Sequence, residues 1–192
     1  MLTLDQHQKA FQRQRFLAMP LAGLLVWTTL GLLALFLPLQ FLVMAYWIGT
    51  GSIVYLGLFL RRFTGEWAEA QQQGRNPFDR LFFQCQLMAL LVFAIAIPFF
   101  LVDPYSQPLS LGILAGLMWV PMSWMLQHWI GMVHAVARTV LVLLAWYLFP
   151  QQAFVAVPVV IVAMYVFSIV VMERRWRRVR ADERREAWCA ER

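Results

Sequence analysis

Charged residues are scarce in this sequence. Aspartate, glutamate, lysine and arginine make up 14% of the 192 residues, whereas hydrophobic residues make up 61%. An average soluble domain carries about 25% charged residues, because its surface must face water. This chain has too few polar side chains to cover such a surface. Its composition therefore excludes an ordinary soluble domain and indicates a protein that lies in lipid.

The sequence also lacks the motifs of the commoner kinds of chemistry. Its two cysteines, Cys85 and Cys189, match no zinc-binding spacing, and on a cytoplasmic side we expect both to remain reduced. It contains no GxSxG, HExxH or P-loop motif, and no pair of carboxylates inside an apolar segment. These absences argue against an enzyme, and we expect no cofactor and no metal.

Long apolar runs dominate the chain instead. A helix of about 20 residues crosses the hydrocarbon core of a bilayer and satisfies its own backbone there. The first run is longer than the apolar core of a signal peptide, about 7–15 residues, so we expect it to remain as a span. The runs predict an all-α fold, a single membrane domain of six transmembrane helices at residues 18–37, 41–60, 81–101, 109–126, 132–149 and 154–172.

The loop between spans two and three is polar and extends over about 20 residues. Glu66 and the aromatic and glutamine residues near it favour a short interfacial helix that Gly74 would end. Asn76, Pro77 and Asp79 are typical of a helix start, with an N-cap, a proline at the first position and an acid in the first turn. This pattern predicts that the third helix begins there.

Lysine and arginine are distributed unevenly among the loops. The segment before span one has three, the loop after span two has four, and the tail after Met172 has eight, whereas the three opposite loops have none. The positive-inside rule predicts a bacterial inner (cytoplasmic) membrane protein with both termini in the cytoplasm. The tail, residues 173–192, is predicted to be a charged helix that faces anionic lipid headgroups without packing into the bundle. Nucleic-acid binding is not expected.

Arg138 is the strongest candidate for a functional residue, because it is a charge inside span five. Placing a charge there costs at least about 2.5–3.5 kcal/mol, so such a residue usually faces the protein interior or a water-filled cavity. His134 lies four residues earlier and Gly131 three before that, so the three share a helix face that opens toward the cytoplasm. Arg138 could pair with Glu173 or Asp79, with backbone carbonyls, or with an external anion, which the guanidinium fork suits.

Other polar residues near the inner ends of the spans could complete a ligand-binding vestibule. Gln84, Gln127 and His128 are the candidates, with Gln86 as a neighbour of Gln84. A competing interpretation is that these residues only provide polar side chains where the helices end at the level of the headgroups. His128 and His134 are six residues apart and do not share a helix face, which argues against a haem or metal site.

Small residues recur within several spans. Gly112 and Gly116 form a GxxxG pattern in span four, and Gly49 and Gly51 lie in the middle of span two. Such residues allow close approach of helices, within the bundle or with a second copy or another membrane protein. The pattern therefore favours packing, and leaves a homo-oligomer or a membrane partner protein open.

The stretch HWIGMVHAVARTVLVLLAWYLFP, residues 128–150, resembles a pattern in a family of small, uncharacterised bacterial multi-spanning membrane proteins of unknown function. The resemblance covers spans four to six. It implies a bacterial source and a single domain over the whole chain, and it implies no activity.

Two functions follow from these observations, and a third, a membrane enzyme that acts on lipid, is the least favoured because the sequence shows no nucleophile or metal set. The first is a membrane protein that binds or transports a small anionic ligand through a cytoplasm-facing site at His134 and Arg138. The second is a structural or accessory subunit of a membrane complex, without a ligand of its own. A polar cavity among spans three to five would favour the first, and a sealed bundle with a flat apolar face would favour the second.

Overall fold

The computed structural model describes residues 3–68, 76–91 and 93–190, and all regular structure in these ranges is helical. The prediction of an all-α fold is confirmed. The helices are α1 (Leu4–Arg13), α2 (Ala18–Leu33), α3 (Leu39–Thr64), α4 (Pro77–Leu91), α5 (Phe93–Val102), α6 (Ser106–Leu117), α7 (Trp119–Leu126), α8 (Ile130–Leu148) and α9 (Ala153–Ala190), with a 3-10 turn at Pro150–Gln152.

Five segments within the described residues are long and apolar enough to cross a membrane: Leu39–Thr64, Pro77–Val102, Ser106–Leu126, Ile130–Leu148 and Pro150–Asp182. A further segment qualifies if α1 and α2, which meet at a bend of 48°, count as one broken span. The first predicted span, 18–37, was too long at its outer end. Helix α2 stops at Leu33, because the chain turns into Pro38, whose extended backbone precedes α3.

The surface of the bundle is largely apolar. Large side chains such as Phe36, Ile48, Tyr55 and Leu101 are exposed on it. A soluble protein rarely exposes apolar surface on this scale, and the surface is compatible with a membrane protein. Inside, α2 packs between α3 and α9, while α8 packs against α6, α7 and α9.

Helix α1 is a structure that the sequence analysis did not predict. Thr3 and Gln6 form a reciprocal capping box, in which each side chain accepts from the backbone N–H of the other. Phe11, on its inner face, is fully buried against Phe78 and Met125 in a second, smaller core at one end of the bundle. The N-terminal segment therefore covers one end of the bundle and is not a solvated leader.

The loop between α3 and α4 is tied to the helices around it. The Glu66 carboxylate accepts from the backbone N–H groups of Leu17 and Ala18, at 2.7 and 2.8 Å, and so caps α2 from 48 residues away. The Asn76 side chain accepts from the N–H of Phe78 at 3.0 Å, which confirms the predicted N-cap of α4. Gly74 and the glutamines before it lie outside the described residues.

The tail continues α9 as a helix to Ala190, as predicted. Its first turns are nevertheless packed, so the prediction of a tail without contacts to the bundle is wrong there. Glu173 pairs with Arg15, the guanidinium of Arg175 donates to the Gln12 carbonyl at 2.6 Å, and Arg15 lies over the Trp176 ring. The reason is α1, which gives these turns a surface to pack on.

Candidate functional site

Arg138 is fully buried in the centre of the bundle. Its Nε donates a 2.8 Å hydrogen bond to the carbonyl oxygen of Gly112 on α6. One turn further along α6, a Cβ atom on Gly116 would lie 2.9 Å from the Cδ of Arg138. The GxxxG pattern of Gly112 and Gly116 therefore allows close packing, and the group that packs against it is the side chain of Arg138.

Two aromatic rings flank the guanidinium. Its Cζ lies 5.6 Å from the ring centroid of Trp27 on α2 and 5.3 Å from that of Tyr165 on α9. Contacts of this kind stabilise a desolvated cation by about 2 kcal/mol. A Cβ on Gly23 would overlap the Tyr165 ring, so this glycine allows the ring to approach α2.

The guanidinium retains unused hydrogen-bonding capacity. Among the described residues, neither terminal nitrogen, Nη1 nor Nη2, has a hydrogen-bond partner, although both are fully enclosed. A buried donor without a partner costs about 1–3 kcal/mol, and more when it is charged. The site thus presents two adjacent cationic donors in a low-dielectric environment, the arrangement that binds a carboxylate or phosphate in a two-pronged manner.

His134 lies one helical turn from Arg138 and is also fully buried. Its Nδ1 is 2.7 Å from the Ser168 hydroxyl oxygen on α9, and its ring stacks on Trp119 with centroids 4.0 Å apart. Within the described part of the chain, its Nε2 has no hydrogen-bond partner. The sequence correctly places His134 and Arg138 together on α8, since residues four apart share a helix face.

Glu173, one of the partners considered for Arg138, is engaged elsewhere. Its two carboxylate oxygens accept from the Nε and the terminal nitrogen of Arg15, each at 3.1 Å, and Arg177 contacts it at 3.3 Å. The hypothesis of an Arg138–Glu173 pair is therefore wrong. The reason is again α1, because the bend after it brings Arg15 to the end of the last span.

The remaining predicted site residues do not join Arg138. Gln84 and Gln127 are exposed, and Gln127, with a φ of 49°, ends α7 and donates to the carbonyl of Trp124. His128 is half-buried, and its Nδ1 accepts from the N–H of Ile130 at 3.3 Å. Burial, together with Arg175, lowers the pKa of His128. The predicted open vestibule is absent at these three positions, because Gln84 and Gln127 face outward and His128 bonds to the neighbouring backbone.

Three residues that complete the site escaped prediction: Trp27, Tyr165 and Ser168. Each lies on a helix remote in sequence from α8, and nothing local distinguishes them from other residues of an apolar span. Groups of three or more metal-ligating side chains do not occur within the part of the chain that the structure describes.

Comparison with known proteins gives a family and no activity. No curated protein and no solved structure matches the chain. A family model, described as a family of unknown function (DUF7010), matches residues 4–175. This match agrees with the resemblance to an uncharacterised family and extends it well beyond spans four to six. The chain therefore belongs to DUF7010, a family of unknown function.

Proposed function

We propose that this protein crosses a bacterial inner membrane six times, with both termini in the cytoplasm. The uneven distribution of lysine and arginine among the loops supports this orientation. In this arrangement the broken pair α1–α2 supplies the sixth span, and the bend lies at the inner headgroups. Asp5 and Lys9 on α1 are exposed, as a surface helix at that boundary requires.

We further propose that Arg138 binds a small oxyanion, a carboxylate or a phosphate. The observation that carries this proposal is the pair of buried guanidinium nitrogens without a hydrogen-bond partner among the described residues. Of the two carboxylates considered as internal partners, Glu173 is engaged by Arg15, and Asp79 lies beside Arg61. The rings of Trp27 and Tyr165 stabilise the Arg138 guanidinium while no ligand is bound. Their faces do not replace hydrogen-bond acceptors for its terminal N–H groups.

His134 contributes a second donor in this proposal. If the Ser168 hydroxyl donates to Nδ1, the neutral imidazole carries its proton on Nε2, where it has no acceptor among the described residues. The helix period places this group on the same face as Arg138. A ligand that accepts from both residues would neutralise the arginine charge and satisfy the histidine.

Access to the site would pass Tyr165. One face of its ring covers the guanidinium, and the same residue lines two small cavities, one between α2, α3, α4 and α7 and the other between α3, α4 and α6. A change in the side-chain rotamer of Tyr165 would therefore connect Arg138 to those cavities. Such a gate explains how an enclosed residue meets an external ligand.

Thermal unfolding of the purified protein in detergent tests the proposal. At constant ionic strength, acetate or phosphate should raise the melting temperature relative to chloride, since a ligand at about 100 times its Kd stabilises by about 2.7 kcal/mol. The Arg138→Gln variant should fold and lose this effect. Arg62→Gln, which changes an exposed arginine of α3, should retain it. If Arg138→Gln responds as the wild type does, the arginine is a packing element and the accessory-subunit function gains support.

A further inference from the structure

A groove runs beneath α4. Arg138 does not line it, although Tyr165, which covers the guanidinium, lines two of its three cavities. It consists of three cavities of about 70, 30 and 50 Å³. The first and second share Met19, Phe82 and Met122, and the second and third share Ile53 and Met118. The cavities thus follow one another along the helix, between α4 on one side and α2, α3 and α7 on the other.

The two ends of this groove differ in chemistry. The widest cavity has a polar mouth, where Arg61 faces the carboxylates of Glu66 and Asp79. The other two cavities are lined almost entirely by apolar side chains. A charged mouth that leads into a narrow apolar channel is the shape of a site for an amphiphile.

Gln86 is a polar residue in the interior, and it lines all three cavities. The side chain is only 4% exposed, and its Nε2 has no hydrogen-bond partner in the described ranges. A buried amide donor needs an acceptor, and no carbonyl of the described chain supplies one. The Gln86 amide, in the middle of the groove, is therefore a donor that an acceptor on a bound molecule would satisfy.

The segment formed by α4 and α5 turns most of its surface outward. Only 13% of the most apolar stretch of Pro77–Val102 is buried, against 50% for Ser106–Leu126. In a membrane, such a segment borders lipid directly, so the groove beneath it lies next to the acyl chains of the bilayer. An occupant from the membrane is thus favoured over one from water.

We propose that this groove binds one acyl chain of a zwitterionic aminophospholipid. The ester carbonyl accepts from Gln86, the phosphate contacts Arg61, and the amine contacts Asp79. Asp79 and Gln86 lie on the same helix, about 10 Å apart by helix rise, so the headgroup and the ester engage different turns. Both signs of charge at the mouth match a headgroup that carries both. An anionic headgroup would instead place its extra charge beside two carboxylates.

The test is lipid binding to the delipidated full-length protein, measured by native mass spectrometry. Phosphatidylethanolamine should bind more tightly than phosphatidylglycerol with the same acyl chains. Gln86→Leu removes the buried donor and keeps a side chain of comparable volume, so it should weaken phosphatidylethanolamine binding roughly 3- to 10-fold, the value of one hydrogen bond. Gln84→Leu, two residues away and exposed, should bind as the wild type does.

Asp79→Asn probes the headgroup end and leaves the apolar channel intact. It should abolish the preference for phosphatidylethanolamine over phosphatidylglycerol. Equal binding of the two lipids by the wild type, or unchanged binding by a folded Gln86→Leu variant, would overturn the proposal. Arg138→Gln should leave lipid binding unchanged, so failure of the anion site and failure of the groove give different results.

Discussion

The Nε of Arg138 on α8 lies 2.8 Å from the carbonyl oxygen of Gly112 on α6. This bond fixes the position of the guanidinium and occupies one of its nitrogens. The other two nitrogens are fully enclosed and have no hydrogen-bond partner among the described residues. The position of the Arg138 side chain against α6 explains why this helix carries two glycines one turn apart. The hydrogen bond to Gly112 also explains why the guanidinium stays in the core and does not extend to a headgroup.

The close approach of α8 to α7 predicts that alanine has different effects on stability at two glycines. A Cβ on Gly131 would come within 2.5 Å of the Trp119 carbonyl oxygen and 2.8 Å of the Ser123 Cα, and backbone atoms cannot move aside. Gly131→Ala should therefore lower the free energy of unfolding by about 1–3 kcal/mol. Gly51→Ala, with open space around its Cβ, should be neutral or stabilising by up to about 1 kcal/mol. Thermal unfolding in detergent compares the stability of the two variants. An equal loss of stability in both would contradict the packing around Gly131.

The cap on α2 predicts a difference between two substitutions of Glu66. Glu66→Ala removes the acceptor of the Leu17 and Ala18 N–H groups and should cost about 0.5–2 kcal/mol. Glu66→Gln keeps an acceptor oxygen and should cost less. Chemical denaturation of both variants at pH 7 measures this difference, and an equal loss in both would show that the charge matters more than the cap.

Glu66 also predicts a dependence of stability on pH. Burial raises the pKa of this carboxyl, against the opposing effects of the Ala18 and Leu17 N–H groups and of Arg61. The folded protein then retains the proton longer than the unfolded chain as pH rises. The contribution of Glu66 to stability should be complete below the pKa of a glutamate in the unfolded chain. It should fall as pH rises from that value through the raised pKa of the folded protein. Melting curves between pH 4 and 8 should lose this component in Glu66→Gln, and an unchanged profile would contradict the assignment.

The ion pair between Arg15 and Glu173 predicts energetic coupling between the two ends of the chain. Both side chains are partly buried and meet through two hydrogen bonds, so a double-mutant cycle with Arg15→Gln and Glu173→Gln should give about 1 kcal/mol. The matching cycle of Arg138→Gln with Glu173→Gln should be additive within about 0.5 kcal/mol. The opposite pattern would restore Glu173 as the partner of the buried arginine.

The proposed orientation predicts which cysteines an impermeant thiol reagent reaches from outside intact cells. In a chain lacking Cys85 and Cys189, a cysteine at the exposed position Gln151 should be labelled. The native Cys189, exposed on the tail, should react only after permeabilisation. Gln107, in the first turn of α6, is a poor position, because it is fully buried and donates to the Val43 carbonyl. Labelling of Cys189 from outside would reverse the topology.

The sequence was informative wherever a local pattern determines the structure. The helical period places His134 beside Arg138, and Asn76 caps α4 through its own near neighbours. It was uninformative where the partner is distant in the chain. Glu66 caps a helix 48 residues away, Arg15 reaches Glu173 across 158 residues, and Tyr165 covers the guanidinium from another span. In a membrane protein nearly every span is apolar, so hydrophobicity alone does not reveal which faces meet.

Crystals grown with selenate, an oxyanion whose selenium scatters anomalously, test the central claim most directly. We expect an anomalous peak beside Arg138, with selenate oxygens about 2.7–3.2 Å from both Nη1 and Nη2. The peak should be absent in Arg138→Gln crystals. Wild-type crystals with no selenium at this position, and with both nitrogens bonded to carbonyl groups of the protein, would contradict the assignment of Arg138 as an anion site.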